Sequence, residues 1–576
     1  MRFNPWTTAA PRPRVALGRR TWELVKGFFT GSSRKQAWNW LLGLLVLCAA
    51  VGVIQVMLSY ALRDFVTALS LRRRDDWIAN IWRYGLICLL SVPIGTLYRY
   101  VQERLSLTWR KWMTQYLLKR YFYNRAYYRF RAVESIDNPD QRIAEDVRFF
   151  TTGALNYFLV FVNSAVTLCA FLGVLWAISG KLMVAILLYA TIGTTVSLLF
   201  GRKLVGLHFN QFQREAAFRH RLIRVNEHAE SIAFYRGEAR EYRHLVEGFA
   251  DVLDNTLWIV GWNRNLGFFT NGYNYLALIV PALIVGPMFL RSEIEFGVVM
   301  QAEAAFAQVL AALSIVVAQM EGLSTIAASI RRLADLWDSL DYFDAEDERE
   351  AQEAQIEVNE KGRGLHLKEV TVETPNGNKT LARDLSFDLP RSGSLLVMGE
   401  SGAGKSSLLR TIAGLWQTGS GAIDRPAHKH LMFLPQQPYL IQGSLRAQLL
   451  YPMSEHHDAD EEIRAVFAQV NLHDILERAD GDLGKVMDWE NILSLGEQQR
   501  VAFARLFLKK PTIAFLDEAT SALDEENERF LYEQLRESGI AYISVGHRSS
   551  LKEYHDRLLV LKRDGSSEME ALGKRK

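Results

Sequence analysis

The sequence predicts two unlike halves in one chain: a six-helix all-α transmembrane unit, then an α/β unit built around a P-loop. Three observations predict it. Long apolar runs crowd the stretch before residue 320. A glycine-rich turn, "GESGAGKSSLL", begins at Gly399 directly after a short apolar strand. A second apolar strand, "PTIAFLD", then runs into an acidic pair. On these grounds residues 1–37 read as an N-terminal cytoplasmic tail and 38–335 as a transmembrane domain with long helical loops. Residues 336–362 read as a linker and 363–576 as the nucleotide-binding domain.

Bulk composition conceals this division. Over 576 residues the net charge is +3 and the hydrophobic share 49%, values that average two different halves. Charge this mild, with no concentrated basic stripe, argues against a nucleic-acid partner. Cys48, Cys88 and Cys169 lie far apart inside apolar runs, so they read as small buried hydrophobes and not as a zinc or disulfide set. The opening "MRFNPWTTAAPRPRVALGRR" has no apolar core followed by a small-residue cleavage site, so it reads as a basic lead and not a secretory signal.

The first apolar run, Trp38–Leu62, carries no charge and exceeds the ~20 residues that cross a bilayer. Thr151–Ser179, Leu182–Phe200 and Leu266–Leu290 are similar. Phe296–Gln319 holds a single acid, Glu303, which marks a candidate pathway residue because intramembrane acids are costly to keep. The span near Tyr84–Tyr98 is short, and Arg83 and Arg99 would snorkel to the interfaces beside flanking Trp and Tyr.

Loops alternate in length and charge. Gln102–Phe150 and Gly201–Trp262 are long and basic, whereas Ser179–Lys181 and Arg291–Glu295 are short. The positive-inside rule places both long loops and the N-terminus in the cytoplasm, with Arg63–Asp76 outside. Six crossings then return the chain to the cytoplasm before its second half. Both long loops mix apolar and charged residues at helical spacing, so the membrane helices are expected to continue into water. The acidic stretch from Asp338 to Gly364 reads as a solvated linker.

In the second half, "GSLLVMGESGAGKSSLLRTIAGLW" is strand, glycine turn and helix, the context that confirms G-x-x-x-x-G-K-[ST]. Gly399, Gly402 and Gly404 let backbone N–H groups converge on phosphate, and the next helix adds its positive end. Lys405 is placed to reach the outer phosphates of ATP and Ser406 to bind Mg2+. Asp517 is a second candidate Mg2+ group, and Glu518 is positioned to polarise an attacking water. His547 follows another apolar strand, "YISVGH", where an imidazole would meet the terminal phosphate. Ser494 and Gly496 precede a helix and form a further anion site. That site makes sense if it caps a phosphate held by a second copy of the domain.

Together these stretches resemble the ATP-binding cassette (ABC) proteins. The resemblance implies an exporter-type membrane fold and a pair of nucleotide domains that sandwich two ATP molecules. It makes Gly399, Glu400, Ser401, Gly402, Ala403, Gly404, Lys405, Ser406 and Ser407 the Walker A loop. Asp517 and Glu518 end Walker B. Ser494, Leu495, Gly496, Glu497 and Gln498 match the signature motif, with Leu495 where many relatives carry glycine. Gln436 matches the Q-loop glutamine that senses Mg2+, Ser521, Ala522, Leu523 and Asp524 the D-loop, and His547 the switch histidine. One departure stands out. Thr374 occupies the place where the family usually carries an aromatic ring, which puts adenine stacking in question.

The membrane half resembles a narrower group. "ESIDNPDQRIAEDVRFF" (Glu134–Phe150) and "NEHAESIAFYRGEARE" (Asn226–Glu241) are similar to the cytoplasmic-loop motifs of peroxisomal fatty-acyl transporters and their bacterial relatives, the SbmA/BacA-like proteins among them. The resemblance implies an ATP-hydrolysing half-transporter of the bacterial inner membrane, acting as a homodimer or paired with a related half. Peptides, cobalamin or similar amphipathic solutes are the expected cargo. Lipid or fatty-acyl export is the alternative within the class, and a membrane-anchored regulator without solute flux the alternative outside it.

Overall fold

The computed structural model describes residues 17–31, 33–130, 138–350, 356–374, 379–453 and 460–573. It separates into a helical unit that runs to Asp341 and an α/β unit from Tyr342 onward.

The helical unit opens with α1 (Leu17–Thr30), α2 (Arg34–Ser70), α3 (Arg74–Phe122) and a short α4 (Ala126–Phe130). Then α5 (Pro139–Gln141) continues through a π turn (Arg142–Asp146) into α6 (Val147–Ile178). The rest is α7 (Gly180–Glu227), α8 (Ala229–Tyr235), α9 (Glu238–Leu290), α10 (Phe296–Ala318) and α11 (Met320–Glu350). Among the described residues, six helices are long and apolar enough to cross a membrane. With 49 residues in α3 and 53 in α9, these helices reach roughly 75 and 80 Å at ~1.5 Å per residue. A hydrocarbon core is only ~30 Å thick, so more than half of each helix extends beyond it, which is why the long basic loops carry helical spacing.

The α2–α3 connection is far shorter than Arg63–Asp76, because both helices run on into that stretch. Asp64 pairs with Arg63 at 2.7 Å and with Arg83 at 3.4 Å. Arg83 therefore has a carboxylate partner in place of an isolated reach for the interface. A core of Phe171, Leu175, Leu182, Ile186, Val285 and Phe306 joins α6, α7, α9 and α10. Leu42, Leu89 and Leu283 stay exposed on outer faces, as helices solvated by lipid permit. Cys48 is buried, but Cys88 is half-buried and Cys169 exposed, so the expectation of three buried thiols holds for the first alone.

Two stretches read from sequence as tail and solvated linker pack against each other. Within the expected tail, α1 buries Leu24 and Phe28, and Phe28 stacks on Trp109 of α3 at 5.7 Å. Arg20 of α1 pairs with Asp338 and, at 3.1 Å, with Asp341. In "NPDQRIAED", Arg142 and Asp146 are buried. Arg142 donates to the Arg332 carbonyl at 2.9 Å, and Arg332 grips Asp146 through Nε at 2.7 Å. Glu134–Asp137 of that motif lie outside the described residues. By contrast α8, within "NEHAESIAFYRGEARE", buries none of its residues.

The α/β unit contains β1 (Glu357–Asn359), β2 (Leu365–Glu373), β3 (Thr380–Leu389), β4 (Ser394–Gly399), α12 (Lys405–Ile412), β5 (Gly419–Asp424) and β6 (Leu431–Leu434). A helical insertion follows: β7 (Gly443–Ser444), α13 (Leu445–Leu450), α14 (Asp460–Gln469), α15 (His473–Arg478), β8 (Val486–Met487), α16 (Trp489–Ile492) and α17 (Leu495–Lys509). The chain closes with β9 (Ile513–Asp517), α18 (Glu525–Glu537), β10 (Ala541–Val545), β11 (Arg557–Leu561) and β12 (Ser567–Ala571). One sheet has the order β12-β11-β4-β10-β9-β6 and another β1-β5-β2-β3. In the first sheet every pairing is parallel except β11–β12. Its central strands are continuous apolar runs, as strands covered on both faces must be. Leu395, Val397, Phe515 and Ile543 pack with Leu367, Val370 and Ile423 of the second sheet around Leu408 and Ile412 of α12.

Candidate nucleotide site

Parallel strands bring their carboxyl ends to one edge, and β4, β10 and β9 are neighbours there. Gly399 ends β4, Asp517 ends β9, and His547 follows β10. Residues that the sequence scatters over about 150 positions thus meet in one place.

The cradle is backbone. Gly399, Gly402 and Gly404 have φ of +149°, +83° and +93°, conformations in which a side chain is strained. At Gly399 space is short as well, since a Cβ there would stand 2.2 Å from the Leu561 carbonyl oxygen. Lys405 opens α12 and is buried, donating to the carbonyls of Gly399 at 2.8 Å and Glu400 at 3.0 Å. An ammonium has three N–H donors, so one remains for an anion. Burial pulls the Lys405 pKa down, and the carboxylates of Glu518 and Asp517 work against that pull. Ser406 Oγ donates to Asp517 Oδ1 at 3.0 Å. Burial raises the Asp517 pKa, and the Ser406 hydrogen bond only partly opposes it. A desolvated carboxylate next to a hydroxyl suits a hard cation. Mg2+ commonly takes one or two protein carboxylates and completes its shell with phosphate and water.

Glu518 follows β9 with φ +51°, an uncommon conformation for a residue with a side chain. Its N–H donates to the Val545 carbonyl at 3.1 Å and its carbonyl accepts from Ser521 N at 3.1 Å, and these bonds hold the turn. The carboxylate accepts from Gln436 Nε2 at 3.0 Å and lies 3.0 Å from His547 Nε2. Gln436, Glu518 and His547 therefore form one polar cluster beside the cradle.

Ser494 caps α17, and the helix begins at Leu495, so Gly496 lies inside the first turn and not before it. The start is a capping box: Glu497 accepts from Ser494 N at 2.8 Å and Oγ at 2.9 Å. Burial opposes ionisation of Glu497, but hydrogen bonds from Arg478 and Ser494 hold its carboxyl below the ordinary range. Leu495 is exposed at this helix start, whereas Gln498 turns inward and donates to the carbonyls of Glu490 and Leu493, both at 3.0 Å. Asp524 caps α18 through Asn527 N at 2.7 Å. Thr374 is fully buried in a loop closure, with its N–H on the Lys379 carbonyl at 2.9 Å, and offers no ring. Glu303 stands near the start of α10, half-buried, two positions from the buried Gln301 that donates to Ser59 Oγ at 3.4 Å.

Sequence reading passed over several contacts at this site. Arg548, directly after His547, donates to the Leu523 carbonyl at 3.2 Å and pairs with buried Glu528 at 3.3 Å. Gln499, in "GEQQR", reaches the Gln436 carbonyl at 2.9 Å and Ser521 Oγ at 3.3 Å, and accepts from Ala522 N at 3.1 Å. Adjacency to a motif was the available signal in both cases. Long-range partners cannot be seen without the fold.

A P-loop ATPase unit carried on six membrane-spanning helices defines a multi-span, ATP-driven membrane transporter half. Two family models match, ABC transporter transmembrane region 2 over residues 24–290 and ABC transporter over residues 382–521. An uncharacterised ABC transporter ATP-binding protein of Synechocystis is 40% identical, the match covering 92% of this chain and 82% of that protein. ABC transporter D family member 2, chloroplastic, of Arabidopsis thaliana is 37% identical over 94% and 86% of the two chains. The human lysosomal cobalamin transporter ABCD4 is 29% identical over 99% and 98%. A bacterial Atm1-family ABC exporter with ATP bound shares the fold, with TM-score 0.71 at 17% identity, over 92% of this chain and 95% of that one. The chain belongs to the ABC transporter family, as a half-transporter with fused membrane and ATPase domains. Its activity is ATP hydrolysis coupled to transport.

Proposed function

We propose that two copies of this chain form a homodimer in a bacterial inner membrane, with the ATPase units in the cytoplasm, and move an amphipathic solute by alternating access. Peptides and cobalamin-like molecules, the cargo class of the SbmA/BacA-like group, are the proposed substrates. A lysosomal cobalamin transporter among the relatives supports that choice. The basic character of both long loops supports the orientation.

In this reading Gly399–Ser407 hold the phosphates of ATP, with Lys405 directing its remaining N–H at them. Ser406, Asp517 and Gln436 would hold Mg2+, which when bound neutralises charge on the terminal phosphates. Glu518 accepts a proton from, and orients, the attacking water, while Gln436 and His547 fix its carboxylate. Ser494–Gln498 close over the ATP of the second copy, and Ser521–Asp524 meet the opposite D-loop. Glu303 is the proposed pathway acid of the membrane half.

The observation that carries the proposal is the Gln436–Glu518–His547 cluster at the cradle's edge, in a chain with six spans. Proteoliposomes of known orientation, loaded with a panel of labelled peptides, cobalamin and fatty-acyl lipids, test it. ATP-dependent flux of a peptide or cobalamin is the expected result. Robust hydrolysis without flux of any solute would favour a regulator.

A further inference from the structure

We propose that Gln499 is a positioning residue: its carboxamide ties the Q-loop and the D-loop to the start of α17, so that the hydrolysis site moves with the surface offered to a second copy. This rests on the functional reading above and adds the residue that couples its two halves.

Gln499 sits in the second turn of α17 and is fully buried. A buried amide is costly unless its hydrogen bonds are made. Here both N–H donors and the oxygen are engaged, and none of the partners belongs to α17. Its neighbour Gln498 differs, since both carbonyls it binds lie in the segment just before the same helix. Its polarity therefore serves the three groups it holds.

Those groups flank Glu518. Gln499 fixes the Gln436 carbonyl, and the Gln436 side chain donates to the Glu518 carboxylate at 3.0 Å. It also fixes Ser521 Oγ and Ala522 N, and Ser521 N donates to the Glu518 carbonyl at 3.1 Å. Arg548 holds the same turn from its other end through the Leu523 carbonyl. Any displacement of the α17 start is thereby passed to both neighbours of Glu518, while the cradle at Gly399–Ser407 makes no bond to Gln499.

The test uses the full-length protein in proteoliposomes, with Gln499→Leu, which keeps volume and removes all three bonds. The second variant is Gln499→Glu, which keeps an acceptor for Ala522 N and sets a carboxylate against the Gln436 carbonyl. Both are expected to leave the KM for ATP within ~3-fold and to lower kcat by ~10–100-fold, with a flattened dependence on ATP concentration. Hydrogen exchange at Ser521–Asp524 should quicken in Gln499→Leu. If the leucine variant does not fold, the glutamate variant decides by the same kcat and KM split. Wild-type kcat and ATP dependence in either folded variant overturns the inference alone. A loss confined to KM also overturns it, because that would place Gln499 in ATP binding. A wild-type chain without ATP turnover overturns the functional reading and this inference together.

Discussion

His555 makes the stability of the α/β unit sensitive to acid, and the effect can be worked out. The imidazole is buried, 5% exposed, between Tyr532 and Tyr542. Nδ1 donates to the Leu551 carbonyl at 2.7 Å, which can only accept, so Nε2 is left to accept from Ser544 Oγ at 2.8 Å. Burial pushes its pKa down from 6.5 to about 4, against weaker upward influences from the Leu551 hydrogen bond and Asp556. A depressed histidine is neutral in the folded state. Its contribution is fully present above pH 6.5 and is lost as pH falls from there toward 4. The complete gap is worth ~3 kcal/mol, of which ~2 kcal/mol is lost by pH 5. For a domain of this size that is a fall of ~4–8 °C in Tm. The assay compares wild type with His555→Gln, which cannot titrate, by pulse proteolysis of the ATPase unit in the detergent-solubilised chain. Wild type should lose ~2 kcal/mol more than the variant between pH 7.5 and pH 5. Equal losses would refute the assignment. The consequence is functional, because Ser544 precedes and Leu551 follows the loop that carries His547.

Three other perturbations test the site and its supports. Glu518→Gln preserves shape and the contact with Gln436, so ATP binding should persist while turnover in an ATPase assay falls ~10²–10⁴-fold; full turnover would remove Glu518 from the role of base. Arg332→Ala strands the buried Asp146 carboxylate and should lower stability by ~1–3 kcal/mol, less than a fully buried pair because the guanidinium is half exposed. A melting curve unchanged from wild type would show that the clasp contributes nothing. Glu303→Gln should impair flux in proteoliposomes while ATP hydrolysis stays measurable, and unchanged uptake would exclude the acid from the pathway.

How far the sequence could be read depends on the range of the interaction. The P-loop, the end of β9 and the cap of α17 are local patterns in which a few consecutive residues specify backbone and chemistry together, so they stood out before any fold was known. The long basic loops were legible as helix for the same reason. The partner of Arg142 and Asp146 was not, since Arg332 lies some 190 positions away. A charge run is solvated unless tertiary structure supplies a partner, and spacing alone carries no information about that partner. The α1 helix was missed because its buried Leu24 and Phe28 follow a Pro-containing basic lead that reads as tail. Arg548 and Gln499 belong to the same class: each is next to a motif, and each acts on a loop distant in sequence.

Strand order explains why the local patterns converge on chemistry. Neighbouring strands are ~4.8 Å apart, so the ends of β4 and β9, separated by β10, stand ~10 Å apart. Directly adjacent strands would halve that distance and crowd the P-loop against the acid pair. With β10 between them there is room for a terminal phosphate and a water, and β10 itself delivers His547 to the middle of the gap. Ser406, reaching from the first turn of α12 to Asp517 at 3.0 Å, closes the span on one side. Glu518, turned back by its positive φ onto Val545, closes it on the other. The arrangement requires only backbone geometry and a few side chains at one sheet edge. Under the proposed function, choice of solute would fall to the membrane helices, where Glu303 and the Gln301–Ser59 contact are the polar groups to vary first.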